Sequence, residues 1–403
     1  MAKESKEYSI KDLQNKLKKI NPFGGPITES AFSKVVEFIH TGNYHLNAVV
    51  SGDLFGGIPS NRSIQLAAPS GCGKTFVLLN ICREAQLMGY NIIYYDTEGA
   101  VDIDNIKNFG INPENFDHQP TSDLSTFRTS ITTLTKDLVE ARKAGMKIPK
   151  IAIFLDSLGM LATTKEIEDA QSGSDKSDMT RAKVIRSLFR IITSDLTGLG
   201  IPLLVANHTY DGNSMFPTVN LSGGAGSIYS ASIILTLTKA QLKEDKEDRI
   251  ASGIVVSVKS FKNRFAKPQP IKFHISFSRG MNAYIGMEEY IDRETCGIQK
   301  GNIISQKEYE KSGNKNENYK FTSEDGEVVY FQPKETARNY IVKHLGRGVS
   351  IGELFTGKVF TKEVLTDINE KKIKPKFAYG IHELQQDEIE GLLDLDEEDD
   401  GDE

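Results

Sequence analysis

Four runs of nearly uninterrupted apolar residues constrain this chain most: SIQLAA (63–68), NIIYYD (91–96), KIAIFLD (150–156) and IPLLVAN (201–207). Stretches of helical periodicity at 74–89, 123–144 and 178–193 separate them. A strand that is apolar on both faces must be covered on both faces, and helices between such strands supply the cover. The pattern predicts an α/β fold with a mainly parallel central sheet. ASIILTLTKA (231–240), GIVVSVKSF (253–261) and IKFHISFS (271–278) follow at short intervals and predict hairpins that extend the same sheet. Upstream, residues 1–20 are charged and read as a short helix or flexible arm, and ESAFSKVVEFIH (29–40) has apolar positions at helical spacing. Beyond Tyr290 the pattern weakens and residues 301–335 are polar. The expected organisation is an N-terminal helical arm (1–45), a core (46–290), a small, looser C-terminal region (291–380) and a disordered tail (381–403).

That tail distorts the net charge of −6. Residues 383–403 hold twelve acidic side chains and no Lys or Arg, so the remaining chain carries 49 basic against 43 acidic residues. The body is mildly basic, and an acidic tail on such a body either keeps it soluble or competes with nucleic acid for its surface. No apolar run approaches the roughly 20 residues that span a bilayer, so no membrane partner is expected. The N-terminus has no apolar segment of the secretory kind. Cys72, Cys82 and Cys296 form neither a disulfide framework nor a zinc pattern. An intracellular, reducing location is therefore expected.

The first apolar run ends in APSGCGKT (68–75). This is the phosphate-binding loop pattern GxxxxGK[ST] with Ala68 in the first glycine position. The mechanism tolerates the change. Backbone N–H groups of Ser70, Gly71, Cys72, Gly73, Lys74 and Thr75 can ring phosphates at a helix N-terminus, Lys74 adds a positive charge, and the Thr75 hydroxyl can ligate Mg²⁺. Asp156 ends the third apolar run, where a carboxylate can hold the same metal through water. Together they point to a nucleoside triphosphate. Hydrolysis also needs a group that orients water, and Asp96 and Glu98, at the end of the second run, are equally eligible by spacing.

LNAVVSGDLFGGIPSNRSIQLAAPSGCGKT (46–75) and YYDTEGAVD (94–102) resemble the ATPase core of RecA-type recombinases. The segments 154–193 and 205–232 resemble more specifically the UvsX type found in phages. The resemblance covers about residues 40–290. It implies a RecA-like P-loop ATPase core that binds DNA, with ATP and Mg²⁺ as cofactors and residues 1–45 serving oligomerisation. It makes Glu98 the base that activates water, with Lys74 also catalytic. It makes His208 the sensor of the γ-phosphate, although a lone His at a strand end is by itself only a hydrogen-bonding group. Lys262 and Arg264, in SFKNRFAKP, match paired basic residues that reach a neighbour's ATP across a filament interface. The resemblance departs at Asn105, where relatives place a Tyr that stacks on adenine.

The resemblance implies that two loops face DNA. The first, about 162–178, leads into a helix whose Val184, Ile185, Leu188, Phe189 and Ile192 lie at core spacing. Arg181 and Lys183, nearest that loop, are its candidate phosphate contacts. The second, about 209–226, carries Met215 and Phe216 and then Gly223 and Gly224; apolar side chains in such a loop suit the faces of unpaired bases. The expected activity is that of a DNA-dependent ATPase forming filaments on single-stranded DNA and catalysing pairing and strand exchange with homologous duplex DNA. The chain itself is the first partner, and the resemblance adds a single-strand-binding protein and a mediator or loader. The location would be cytoplasmic, in a host cell if the chain is phage-encoded. A hexameric helicase on the same core and a non-catalytic recombinase paralogue are the alternatives.

Overall fold

The computed structural model describes residues 9–21, 23–28, 30, 32–173, 180–211, 219–243, 251–311, 320–322 and 326–379. Its centre is a ten-stranded sheet. In chain order the strands are β1 (Ser63–Ala68), β2 (Asn91–Asp96), β3 (Phe116–Pro120), β4 (Ile151–Asp156), β5 (Leu203–Asp211), β6 (Val219–Leu221), β7 (Ile233–Leu242), β8 (Gly253–Asn263), β9 (Ile271–Ser276) and β10 (Gly280–Met281). Across the sheet they run β10-β9-β8-β7-β1-β5-β4-β2-β3, with β6 paired to β5 alone. The six strands from β7 to β3 are mutually parallel, and β8, β9 and β10 extend the sheet antiparallel.

Both faces are covered, as the unbroken apolar strands require. On one face, helices α1 (Leu124–Lys143) and α2 (Arg181–Leu199) bury Phe127, Ile131, Ile185, Leu188, Phe189 and Ile192 against β4 and β5. Removing one such buried Phe side chain costs about 3–5 kcal/mol. The other face is covered by the helix Lys74–Leu87 and by C-terminal elements. No helix among the described residues is long and apolar enough to cross a membrane.

Two expectations outside the central sheet are corrected. Residues 29–40 form no helix where described; Phe38–Ile39 instead pair with Ile58–Pro59, and the Glu37 carboxylate accepts from Tyr90 and Lys150. The period suited a helix, but the strand and the ion pair are made with distant residues. The C-terminal region is not loose. It has its own five-stranded antiparallel sheet between Ile298 and Ser350, and Val342, Leu354, Phe360, Leu365, Ile368 and Phe377 join the main apolar cluster. Its Asn369 side chain accepts the Leu54 N–H at 2.8 Å. The described part of 301–335 forms partly exposed strands and the helix Gln306–Lys311; residues 312–319 and 323–325 lie outside the described residues. At the other end, the helix Ile10–Ile20 buries no residue, and its Ile10, Leu13, Leu17 and Ile20 are exposed. The acidic tail lies outside the described residues.

Candidate functional site

The order of the parallel strands places a crevice beyond their carboxyl ends, where ligands of such sheets bind. Strand register fixes which side chains meet there: Ala68 is paired with His208, and Asp96 with Asp156. Between Ala68 and Lys74 the chain turns sharply. Gly71 and Gly73 have φ of 70° and 83°, in the left-handed region, and a Cβ on Gly73 would lie 2.8 Å from Ile275 Cδ1. The turn delivers the unpaired N–H groups of a helix N-terminus to the crevice, a preformed anion site. Cys72 is buried, so it offers backbone rather than thiol.

Lys74 is buried and donates Nζ to the carbonyls of Ala68 (3.0 Å) and Pro69 (3.1 Å). Burial lowers its pKa, with Asp156 and Glu98 opposing. Thr75 Oγ1 donates to Asp156 Oδ2 at 2.5 Å, and the Tyr94 hydroxyl donates to the same oxygen at 2.9 Å. Burial raises the Asp156 pKa against those two donors. The described residues contain no group of three or more His, Cys, Asp or Glu able to hold a metal. One hydroxyl and one carboxylate nonetheless suit Mg²⁺, which keeps waters and substrate phosphates as its other ligands.

Asp96 and Glu98, equivalent by spacing, have different surroundings. Asp96 Oδ1 accepts the N–H groups of Glu98, Gly99 and Ala100, and its Oδ2 accepts Val101 N–H and lies 3.1 Å from His118 Nε2. It is buried and shapes the turn. Glu98 lines the crevice. Its Oε1 accepts the Ser157 hydroxyl at 2.7 Å and lies 3.1 Å from His208 Nε2. Burial works to raise its pKa, but these two contacts prevail and hold it below the ordinary value. The ring of His208 packs on Gly159, where a Cβ would approach Cδ2 to 2.5 Å.

The crevice has a volume of about 590 Å³ and is lined by the loop residues Ser70, Gly71, Gly73, Lys74 and Thr75 together with Glu98, Asp156 and His208. That volume is in the range of small-molecule sites. Lys239, Phe109 and Phe277 also line it, and Asn105 stands at its rim with its amide bonded to Asp102. The sequence reading missed Lys239, whose Nζ lies 3.5 Å from the Ser70 carbonyl oxygen, and also Tyr94 and Ser157. No local signal marks Lys239, because only strand pairing brings β7 beside β1.

Lys262 and Arg264 are far from this crevice. Ile254, near the start of β8, lines it, and Lys262 is eight residues further along the strand, about 26 Å at the rise of a strand. Lys262 Nζ donates to the carbonyls of Ile228 (2.8 Å) and Tyr229 (3.2 Å), and Arg264 is exposed.

Where described, the first expected loop is mostly helical. Thr163 and Glu166 form a capping box that starts a helix at Thr164–Ser172, and residues 174–179 lie outside the described residues. Lys183 is exposed on α2. Arg181 instead directs its guanidinium at backbone carbonyls within the protein. Within the second loop β5 and β6 pair antiparallel, with Tyr210 opposite Asn220; Met215 and Phe216 lie outside the described residues. Gly223 and Gly224, at φ of 84° and 66°, open the helix α3 (Gly224–Ser230), which lies on α2. The buried Asn207 donates to the Ser222 carbonyl at 2.9 Å, tying this root to β5.

Comparison with known proteins places this geometry in context. Residues 11–282 match the model of the RecA N-terminal domain family. The chain is 32% identical over 283 residues to the recombination and repair protein of Enterobacteria phage T4, covering 69% of this chain and 70% of that protein. It is 25% identical over 287 residues to protein RecA of Fusobacterium nucleatum, covering 70% and 71%. Protein RecA of Ehrlichia chaffeensis is 27% identical over 322 residues, covering 78% and 79%.

Proposed function

The chain belongs to the RecA family, and on that premise we propose that it is an ATP-dependent DNA recombinase that forms filaments on single-stranded DNA and catalyses homologous pairing and strand exchange. The observation that carries the reading is the meeting of Lys74, Thr75, Asp156, Glu98 and His208 in one crevice, with Asp156 and His208 on the strands β4 and β5 that precede the two loops.

Ser70 to Thr75 hold the triphosphate through backbone N–H groups and Lys74. Thr75 and Asp156 would hold Mg²⁺, which neutralises phosphate charge when bound. Glu98, kept ionised by Ser157 and His208, orients and deprotonates the attacking water. His208 bridges that base and β5, which continues into the second loop, so loss of the γ-phosphate changes the grip on DNA. Lys262 and Arg264, too distant for their own nucleotide, serve a neighbour's in a filament. The uncovered apolar face of Ile10–Ile20 is suited to the same self-assembly. Lys183, Met215, Phe216, Gly223 and Gly224 face DNA. A core of residues 46–290 with an N-terminal oligomerisation arm remains our division of the chain. Homologous duplex DNA, a single-strand-binding protein and a loader complete the proposed partners.

The test is ATP hydrolysis by the full chain with and without single-stranded DNA, beside Lys74→Ala. Strong stimulation that vanishes in the variant supports the reading. DNA binding without turnover indicates an accessory paralogue, and turnover indifferent to DNA refutes the loop assignment.

A further inference from the structure

Arg181 opens α2 directly after the undescribed part of the first loop. Its fork is spent on the protein. Nε donates to the Leu161 carbonyl (3.2 Å), Nη2 to those of Leu158 (3.2 Å) and Gly159 (2.8 Å), and Nη1 to the Ser222 hydroxyl (3.4 Å). These acceptors lie on two segments with different tasks. Leu158–Leu161 is the turn that leaves β4, and it adjoins both groups on Glu98 Oε1. Ser157, at its start, donates its hydroxyl to that oxygen, and Gly159 supports the ring of His208, which faces the same oxygen. Ser222 is the root of the second loop: its N–H donates to the His208 carbonyl (3.1 Å), and Gly223 and Gly224 follow it.

We propose that Arg181 is a positioning residue that transmits the state of both DNA loops to Glu98, rather than a ligand for DNA phosphate. The inference rests on the function proposed above. A phosphate contact would draw the fork away from three carbonyls and leave them short of a charged donor, an unfavourable exchange. Movement of either loop root instead shifts the guanidinium, and with it the turn that aligns Ser157 and His208 on the base. The geometry also explains why arginine is needed. A planar fork reaches three carbonyls and a hydroxyl on two segments at once, whereas an ammonium is a single point of charge.

Arg181→Lys separates the two roles, because lysine can contact a phosphate but cannot span these acceptors. ATP turnover across a titration of single-stranded DNA is measured for the full chain carrying Arg181→Lys, Arg181→Met or Ser222→Ala, with DNA affinity measured across a salt series. Under the proposal, kcat at saturating DNA falls roughly 3- to 30-fold in Arg181→Lys and Arg181→Met, the range carried by residues that touch neither ligand. Ser222→Ala, which removes one acceptor, falls less and in the same direction. DNA affinity and its salt slope stay at the wild-type values in all three. Wild-type kcat in Arg181→Lys, with a salt slope reduced by about one in Arg181→Met, is the signature of a phosphate contact and overturns the proposal. Thermal unfolding and binding of a fluorescent ATP analogue without DNA check the fold. If Arg181→Lys is unfolded, wild-type kcat in the folded Ser222→Ala overturns the proposal by itself. A wild-type chain whose turnover ignores DNA refutes the function reading first, and this inference falls with it.

Discussion

Gly159→Ala tests the His208–Glu98 contact without altering either residue. Gly159 does not have a left-handed φ, so alanine brings no backbone strain, but its Cβ would lie 2.5 Å from His208 Cδ2 and 3.3 Å from Cγ. Carbon atoms pack comfortably at about 3.5–4.0 Å, so the ring must retreat by roughly 1 Å. The Nε2 to Oε1 separation is 3.1 Å, so a displacement of that size is enough to take the contact out of hydrogen-bond range. Overpacking of this kind costs about 1–3 kcal/mol, and the lost bond to a partly exposed carboxylate adds on the order of 1 kcal/mol. A total near 2–4 kcal/mol corresponds to a fall in Tm of roughly 4–16 °C for a domain of this size. Turnover at saturating DNA falls as well, because the base loses one of its two partners. Scanning calorimetry and steady-state hydrolysis read the two effects. A variant with wild-type Tm and wild-type DNA-stimulated turnover would show that His208 does not occupy this position.

Glu98→Gln removes the proposed base, so kcat falls by about 10²- to 10⁴-fold while filter binding of single-stranded DNA persists; undiminished turnover would return the role to another group. Asp123 caps α1, and although burial pulls its pKa upward, the hydroxyls and N–H groups of Ser125 and Thr126 hold it at about 2. Its folded pKa is depressed, so its contribution to stability is complete above the unfolded value of about 3.9 and is lost as pH falls through the folded value. Urea unfolding of Asp123→Asn is expected to show a flatter stability profile between pH 4 and 2, and an unchanged slope would contradict the capping argument. Deleting residues 383–403 raises affinity for single-stranded DNA, most strongly at low salt; equal binding across a salt series would exclude competition by the tail.

Much of the candidate nucleotide site was legible because it is written in contiguous residues. SIQLAAPSGCGKT carries strand, turn and helix start in one stretch, and the glycines, the lysine and the threonine follow from local backbone and phosphate chemistry. Asp156 was legible because an unbroken apolar strand must end somewhere, and a carboxylate at that end is conspicuous. The choice of Glu98 over Asp96 was not a matter of spacing. The resemblance favours Glu98, and the four N–H groups converging on Asp96, which only the folded turn shows, support that reading. Residues 164–172 could have been recognised as a helix from the Thr163–Glu166 capping box, a signal outweighed by the expectation of a loop.

The sequence alone thus determined the parallel sheet, its candidate phosphate loop and the residue types that line it, since these depend on periodicity and on neighbours in the chain. The tertiary structure decided which strands lie side by side. That order sets Ala68 against His208, brings Lys239 to the phosphate loop, carries Lys262 to the far end of the sheet and closes Arg181 on the turn behind Glu98. Such contacts join residues tens to hundreds of positions apart, and periodicity, which reports only what each face buries, does not encode which distant partner buries it.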